Sequence, residues 1–154
     1  MHTENRIAIA APPETVYALA AAIEDWPRIL PHYRWVTILE DRGTERLVEM
    51  AARRDWIPVW WRSIQRCDPI RHRIEFIHVR GKTRGMVVEW RIESDGHGGS
   101  DVSIGHEFRP RWPLVPDLLV RLVIGRFFVG SIAQTTLRRI KALAEASAST
   151  RRTR

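Results

Sequence analysis

Six histidines, one cysteine and a large excess of arginine are the residues from which this 154-residue chain could build chemistry. His106 is the best placed of the histidines. It alternates with Ile104 and Phe108, so an extended segment would point its imidazole to the same side as two apolar side chains. A ring there can act as an acid or base near neutral pH, and a hydrogen-bonded core histidine satisfies the same pattern. His32, His72, His78 and His97 fall in separate stretches with no Glu or Cys at ligand spacing, so no metal centre is expected. No Gly-rich phosphate loop or nucleophile elbow occurs, and no cofactor is implied. Cys67 is the only cysteine, which leaves no internal disulfide.

Charge narrows the partners only in part. Lys and Arg together number 25 against 18 Asp and Glu, a formal +7, and nearly all the cations are arginine, since Lys82 and Lys141 are the only lysines. Such a surface could attract an acidic carrier protein, an anionic membrane or nucleic acid. Outside the last residues no Lys/Arg run interleaves with aromatics, so a nucleic-acid partner is not expected. The charge-free run from Phe127 to Leu137 is far short of the roughly 20 apolar residues of a spanning helix, so no stable membrane insertion is expected. No basic segment followed by an apolar run opens the chain, and the expected compartment is the cytoplasm.

The elements that must position these side chains follow from periodicity. Asn5 to Ala10 alternates as a strand. Pro12-Pro13-Glu14 then opens a helix through Val16, Leu19, Ala20 and Ile23, which ends before Trp26-Pro27, and a short second turn ends before Pro31. From Tyr33 to Arg109 the pattern changes to short alternating runs separated by turn residues. These predict strands at Tyr33 to Glu40, Glu45 to Arg53, Val59 to Cys67, Arg73 to Arg80, Met86 to Ser94 and Asp101 to Arg109. After Pro110, Pro113 and Pro116 the period is helical again, with Leu119, Leu122, Val123, Val129, Ile132, Ala133, Leu137, Ile140 and Ala144 forming the apolar side of one long helix. The order is α+β: a curved antiparallel sheet of about seven strands wrapped around a C-terminal helix, with two short helices between the first two strands. Residues 1–146 form the single domain and 147–154 a basic, disordered tail. A sheet wrapped round one helix leaves room for an apolar molecule between them.

Several runs carry a resemblance: Asn5-Arg6-Ile7-Ala8-Ile9 with Ala11-Pro12 and Val16-Tyr17, Ile23-Glu24-Asp25-Trp26-Pro27, Tyr33, Val59-Trp60 with Arg66, Trp90, Glu107-Phe108 with Pro110, and Arg139-Ile140-Lys141. In these the chain resembles the helix-grip proteins of the START and birch-pollen-allergen superfamily, and within it the polyketide aromatase/cyclases, over nearly the whole length to about Glu145. The resemblance implies a cavity that folds a poly-β-ketone delivered by an acyl carrier protein and promotes aldol closure and dehydration. It implies Arg66 as the donor to an enolate or alkoxide oxygen and Tyr33 as the proton shuttle. Trp26 and Trp60 are expected beside the ligand, with Arg62, Ile64, His106 and Phe108. If Arg66 faces inward, alternation turns Ile64, Arg62, Trp60 and Pro58 inward too, and Trp61, Ser63, Gln65 and Cys67 outward. Ile64 stands where enzymatic relatives tend to carry a hydroxyl. The competing role for Arg66 is pairing with a sheet carboxylate such as Glu89, and the competing function is non-catalytic binding of a lipid or a coenzyme Q-like quinone.

Overall fold

The computed structural model describes residues 1–108, 116–120 and 129–153. Seven strands make one antiparallel sheet: β1 (His2–Ile9), β2 (Tyr33–Asp41), β3 (Glu45–Arg54), β4 (Ile57–Asp68), β5 (Arg73–Gly81), β6 (Val87–Ser94) and β7 (Ser100–Glu107). Their order is β1-β7-β6-β5-β4-β3-β2, so consecutive strands from β2 to β7 are neighbours and β1 closes onto β7, with His2 opposite Glu107 and Ile9 opposite Ser100. β1 and β2 therefore lie at opposite edges. The chain spans the gap with α1 (Pro13–Ala21), a 3-10 turn (Ile23–Asp25) and α2 (Trp26–Ile29). Pro13 opens α1 and Pro27 sits in the first turn of α2, where a missing N–H costs no helical bond.

The short helices are hooked to the sheet. Arg46 donates to the Gln65 side chain at 2.9 Å and to the Ala21 carbonyl at 2.9 Å, and Gln65 donates to the same carbonyl at 3.1 Å. This satisfies a carbonyl that the end of α1 leaves without a helical partner.

After β7 the described elements are α3 (Asp117–Val120) and α4 (Gly130–Arg152). Ala133, Leu137, Ile140 and Ala144 are buried at helical spacing, the later part of the stripe expected from the sequence, whereas Leu119, expected on the same stripe, is exposed in α3. Polar contacts fix the helix against β1 and α2: Asn5 donates to Gln134 at 3.2 Å, Lys141 to the Ala8 carbonyl at 2.7 Å, and Arg139 to the Ile29 carbonyl at 3.0 Å. α4 runs on through residues 147–152, the segment expected as a tail. Pro110, Trp112, Pro113, Arg121, Leu122, Val123, Gly125 and Arg126 lie outside the described residues.

The strands match their expected positions within one to three residues, β1 starting earlier because its pairing with β7 extends to His2. The phase of β4 is the reverse of the expectation. Trp61, Ser63 and Gln65 are buried at 8%, 0% and 0% exposure, whereas Trp60 is 45% exposed. The neighbours set this phase. Val48 and Met50 of β3, both buried, lie opposite Ser63 and Trp61, while Glu49 and Glu45 lie opposite Arg62 and Arg66. The arginines meet carboxylates on the outer face, and the smaller or apolar side chains turn to the core.

Candidate functional site

Between the sheet and α4 lies a cavity of about 80 Å³. Trp26, Phe76, Trp90, Met50, Met86 and Trp61 form most of its apolar wall, and Val129, Ile132 and Ala133 close it from the helix side. The aromatic rings interlock. Trp26 meets Tyr33 edge-on with ring centres 4.8 Å apart, and Phe76 and Trp90 each at 6.0 Å. Trp26 is held by its indole N–H, which donates to the Leu19 carbonyl at 3.3 Å.

Few polar groups face this space, and each is positioned by a different element. Tyr33 begins β2, one residue after a backbone turn in which its N–H bonds the Leu30 carbonyl at 2.9 Å. Its hydroxyl lies near Thr136 of α4, which counters the effect of burial on it, and Thr136 Oγ1 lies 2.8 Å from His32 Nε2. His32, Thr136 and Tyr33 thus bring three polar side chains together beside the cavity. Burial raises the Tyr33 hydroxyl well above the ordinary phenol range, with the Thr136 bond opposing the shift. The phenol stays protonated at neutral pH and has a proton to donate.

His78 of β5 and His106 of β7 also face the cavity. His78 stacks on Trp61 with ring centres 5.4 Å apart and planes 6° from parallel, and its Nδ1 lies 2.7 Å from Thr83 Oγ1. Burial pushes His78 down to about 3, with the nearby His106 adding to the shift, and pushes His106 down to about 4. Both rings are neutral at pH 7. Among the described residues His106 Nδ1 is buried without a hydrogen-bond partner. His32, also lowered by burial to about 4, completes a neutral set.

The expected residues divide sharply. Trp26, Tyr33 and His106 line the cavity. Phe108 is buried in the core but does not line the cavity. Arg66 is corrected: it lies on the outer face, its side chain 52% exposed, with Nε donating to Glu45 at 2.8 Å and NH1 to Glu75 at 3.3 Å. The competing role of sheet pairing describes it, with Glu45 and Glu75 in place of Glu89. Trp60, Arg62 and Ile64 share that outer face for the same reason, Arg62 paired with Glu49 and Ile64 beside Leu47. Sequence reasoning missed Trp61, His78, Thr83, Met50, Met86 and Thr136 as lining. The alternation Ile74, Phe76, His78 carried a signal for His78; Thr136 had none beyond its place one residue before Leu137.

Among the described residues no cluster of three His, Cys, Asp or Glu could hold a metal ion. The chemistry on offer is proton donation and acceptance inside an aromatic, largely apolar pocket.

Residues 9–135 match the family model for polyketide cyclase/dehydrase and lipid transport. The chain belongs to this family. The granaticin polyketide synthase bifunctional cyclase/dehydratase of Streptomyces violaceoruber is 29% identical over 108 residues, which cover 69% of this chain and 33% of that protein; the chain thus spans about a third of that curated relative. Among solved structures, the Zhui aromatase/cyclase from Streptomyces sp. R1128 superposes with a TM-score of 0.69 at 23% identity, covering 100% of this chain and 96% of that one. A START superfamily protein from Mycobacterium smegmatis does so at 0.75 and 14%, covering 94% and 97%. At these identities the likeness is one of fold, and the fold is the helix grip. The family's description spans polyketide cyclisation or dehydration and lipid transport.

Proposed function

We propose that this family member cyclises and dehydrates a poly-β-ketone chain in the cavity between α4 and the sheet. The observation that carries the reading is the pairing of one locked phenol donor, Tyr33, with two buried neutral imidazoles, His78 and His106, in a cage otherwise lined by apolar side chains. A site that only bound an apolar molecule would have no use for a buried imidazole nitrogen without a partner, which costs about 1–3 kcal/mol.

In the proposed reaction a neutral imidazole, His106 foremost, takes a proton from the carbon between two carbonyls. The resulting enolate carbon bonds to a second carbonyl carbon, whose oxygen takes a proton from Tyr33 and becomes a hydroxyl. The imidazolium then gives its proton back to the Tyr33 phenolate, which restores the neutral ring and the phenol. A second α-proton then passes to the imidazole, and the hydroxyl leaves as water with a proton returned by the ring. One carbon–carbon bond forms and one water is lost. The apolar walls strengthen hydrogen bonds to the charge that develops on the substrate oxygen. Arg66, outside the cavity, takes no part. An acyl carrier protein would deliver the substrate.

The test is product analysis after co-incubation with a minimal synthase that assembles a poly-β-ketone on its carrier. The wild type is expected to shift the product to a cyclised, dehydrated ring. Tyr33→Phe and His106→Gln should each reduce that product by about 10²- to 10³-fold, and Arg66→Gln should leave it unchanged. A wild-type product pattern identical to that of the synthase alone, with an anthraquinone still bound saturably, would assign the chain to lipid or quinone carriage instead.

A further inference from the structure

Over most of the sheet's outer face each cation has a carboxylate beside it, as in Arg62 with Glu49, Arg66 with Glu45 and Arg73 with Glu89. One end of the sheet departs from this. There the β3–β4 hairpin carries Trp56 at 85% exposure, Ile57 at 44% and Trp60 at 45%. The β5–β6 turn carries Arg80, Lys82 and Arg84, all exposed. The two segments adjoin: Trp61 pairs with Gly81 and Arg62 with Arg80. Among the described residues none of these three cations has a carboxylate within ion-pair distance. Residues 77–86 contain no Asp or Glu, and Asp55 is the only acid between 50 and 62.

The structure thus places exposed tryptophan and isoleucine beside unpaired cations at a protruding tip. A tryptophan so exposed fills no groove and packs on nothing, so a rigid protein partner would need a pocket to receive it. A lipid headgroup layer needs none. Indole rings settle at the boundary between water and hydrocarbon, and Lys and Arg flanking them are drawn to lipid phosphates. Among the described residues no helix is long and apolar enough to cross a membrane, so any attachment through this tip is peripheral. The same end supplies Val59 and Thr83 to the cavity wall.

We propose that the β3–β4 hairpin and the β5–β6 turn dock this protein reversibly on an anionic lipid surface, Trp56 and Ile57 entering the headgroup layer while Arg80, Lys82 and Arg84 meet the phosphates. Docking there turns the Val59–Thr83 side of the cavity toward the bilayer. It stands on the tip alone and holds whether the cavity catalyses or only binds.

Cosedimentation with vesicles of phosphatidylcholine alone, and of phosphatidylcholine mixed with phosphatidylglycerol, tests it. The full chain should bind the mixed vesicles and not the neutral ones, and lose that binding as salt is raised. Replacing Arg80, Lys82 and Arg84 together by Gln should weaken binding at least tenfold, and Trp56→Ser roughly tenfold. All these side chains are exposed, so both variants should keep the wild-type circular dichroism and the wild-type titration with an anthraquinone, which separates a failed tip from a failed cavity. Folded wild type that ignores mixed vesicles, or variants that bind them as the wild type does, would overturn the proposal. Retention on an acidic carrier protein without retention on vesicles would overturn it too, assigning the patch to a protein.

Discussion

His78 and His106 connect the site to the stability of the whole chain. Their rings titrate near 3 and 4 in the folded protein because burial disfavours the imidazolium, against about 6.5 when unfolded. Above pH 6.5 both states hold neutral rings and the full stability is present. Below it the unfolded chain takes up protons that the folded chain refuses, so stability falls on acidification until the folded values are passed. The slope is at most about 1.4 kcal/mol per pH unit for each ring. Urea unfolding between pH 5 and 6.5, above the range where most carboxylates titrate, should show this decline, and His106→Gln should remove one ring's share. An unchanged slope in that variant would mean that His106 is not held neutral by its surroundings. At the same scale Arg66 was readable as a charged strand residue but not as an outer one. Its partners Glu45 and Glu75 come from two other strands.

The elements were legible because turn residues and period are local properties, and the β5–β6 turn shows how tightly geometry constrains them. Gly81 has φ +99°, and a Cβ there would meet the Trp60 carbonyl oxygen at 2.6 Å. Gly43, in the β2–β3 turn, has φ +85° with nothing within 4 Å of that position. Alanine at 43 therefore introduces backbone strain alone, about 1 kcal/mol, whereas alanine at 81 adds a backbone clash and should destabilise by about 2–3 kcal/mol. Urea midpoints of the two variants check this. Equal losses would show that the close approach of β4 to the turn carries no energy.

At the scale of the molecule the cavity volume is the governing quantity. About 80 Å³ is roughly half the engineered cavity that admits benzene, so a polycyclic ligand enters only if the wall moves. Met50 and Met86, unbranched and buried at 1% and 2% exposure, are the wall residues best able to do so. Met86→Ala should lower stability by about 2–5 kcal/mol yet tighten anthraquinone binding several-fold, because the space no longer has to be opened. Quenching of the lining Trp26, Trp61 and Trp90 reports the affinity. Weaker binding in this variant would place the ligand elsewhere.

The sequence by itself determined the number, order and approximate ends of the strands, the apolar stripe of α4 and the family. These depend on local period, on proline and glycine, and on runs of residues that keep their spacing. It also singled out Trp26, Tyr33 and His106. Only the tertiary structure decided which face of β4 turns inward, because a period of two has two phases, and the choice between them rests on what β3 and β5 present across the ladder: Met50 opposite Trp61, Glu45 and Glu75 opposite Arg66. The same tertiary packing brings His78 near His106 and Thr136 near His32 and Tyr33, and gathers Trp56, Trp60 and three exposed cations at one end of the sheet. His32 adjoins Tyr33 in the sequence, but Thr136 is more than 100 residues from both, His78 is 28 residues from His106, and the tryptophans lie on a different hairpin from the cations, so period and spacing do not reveal these groupings.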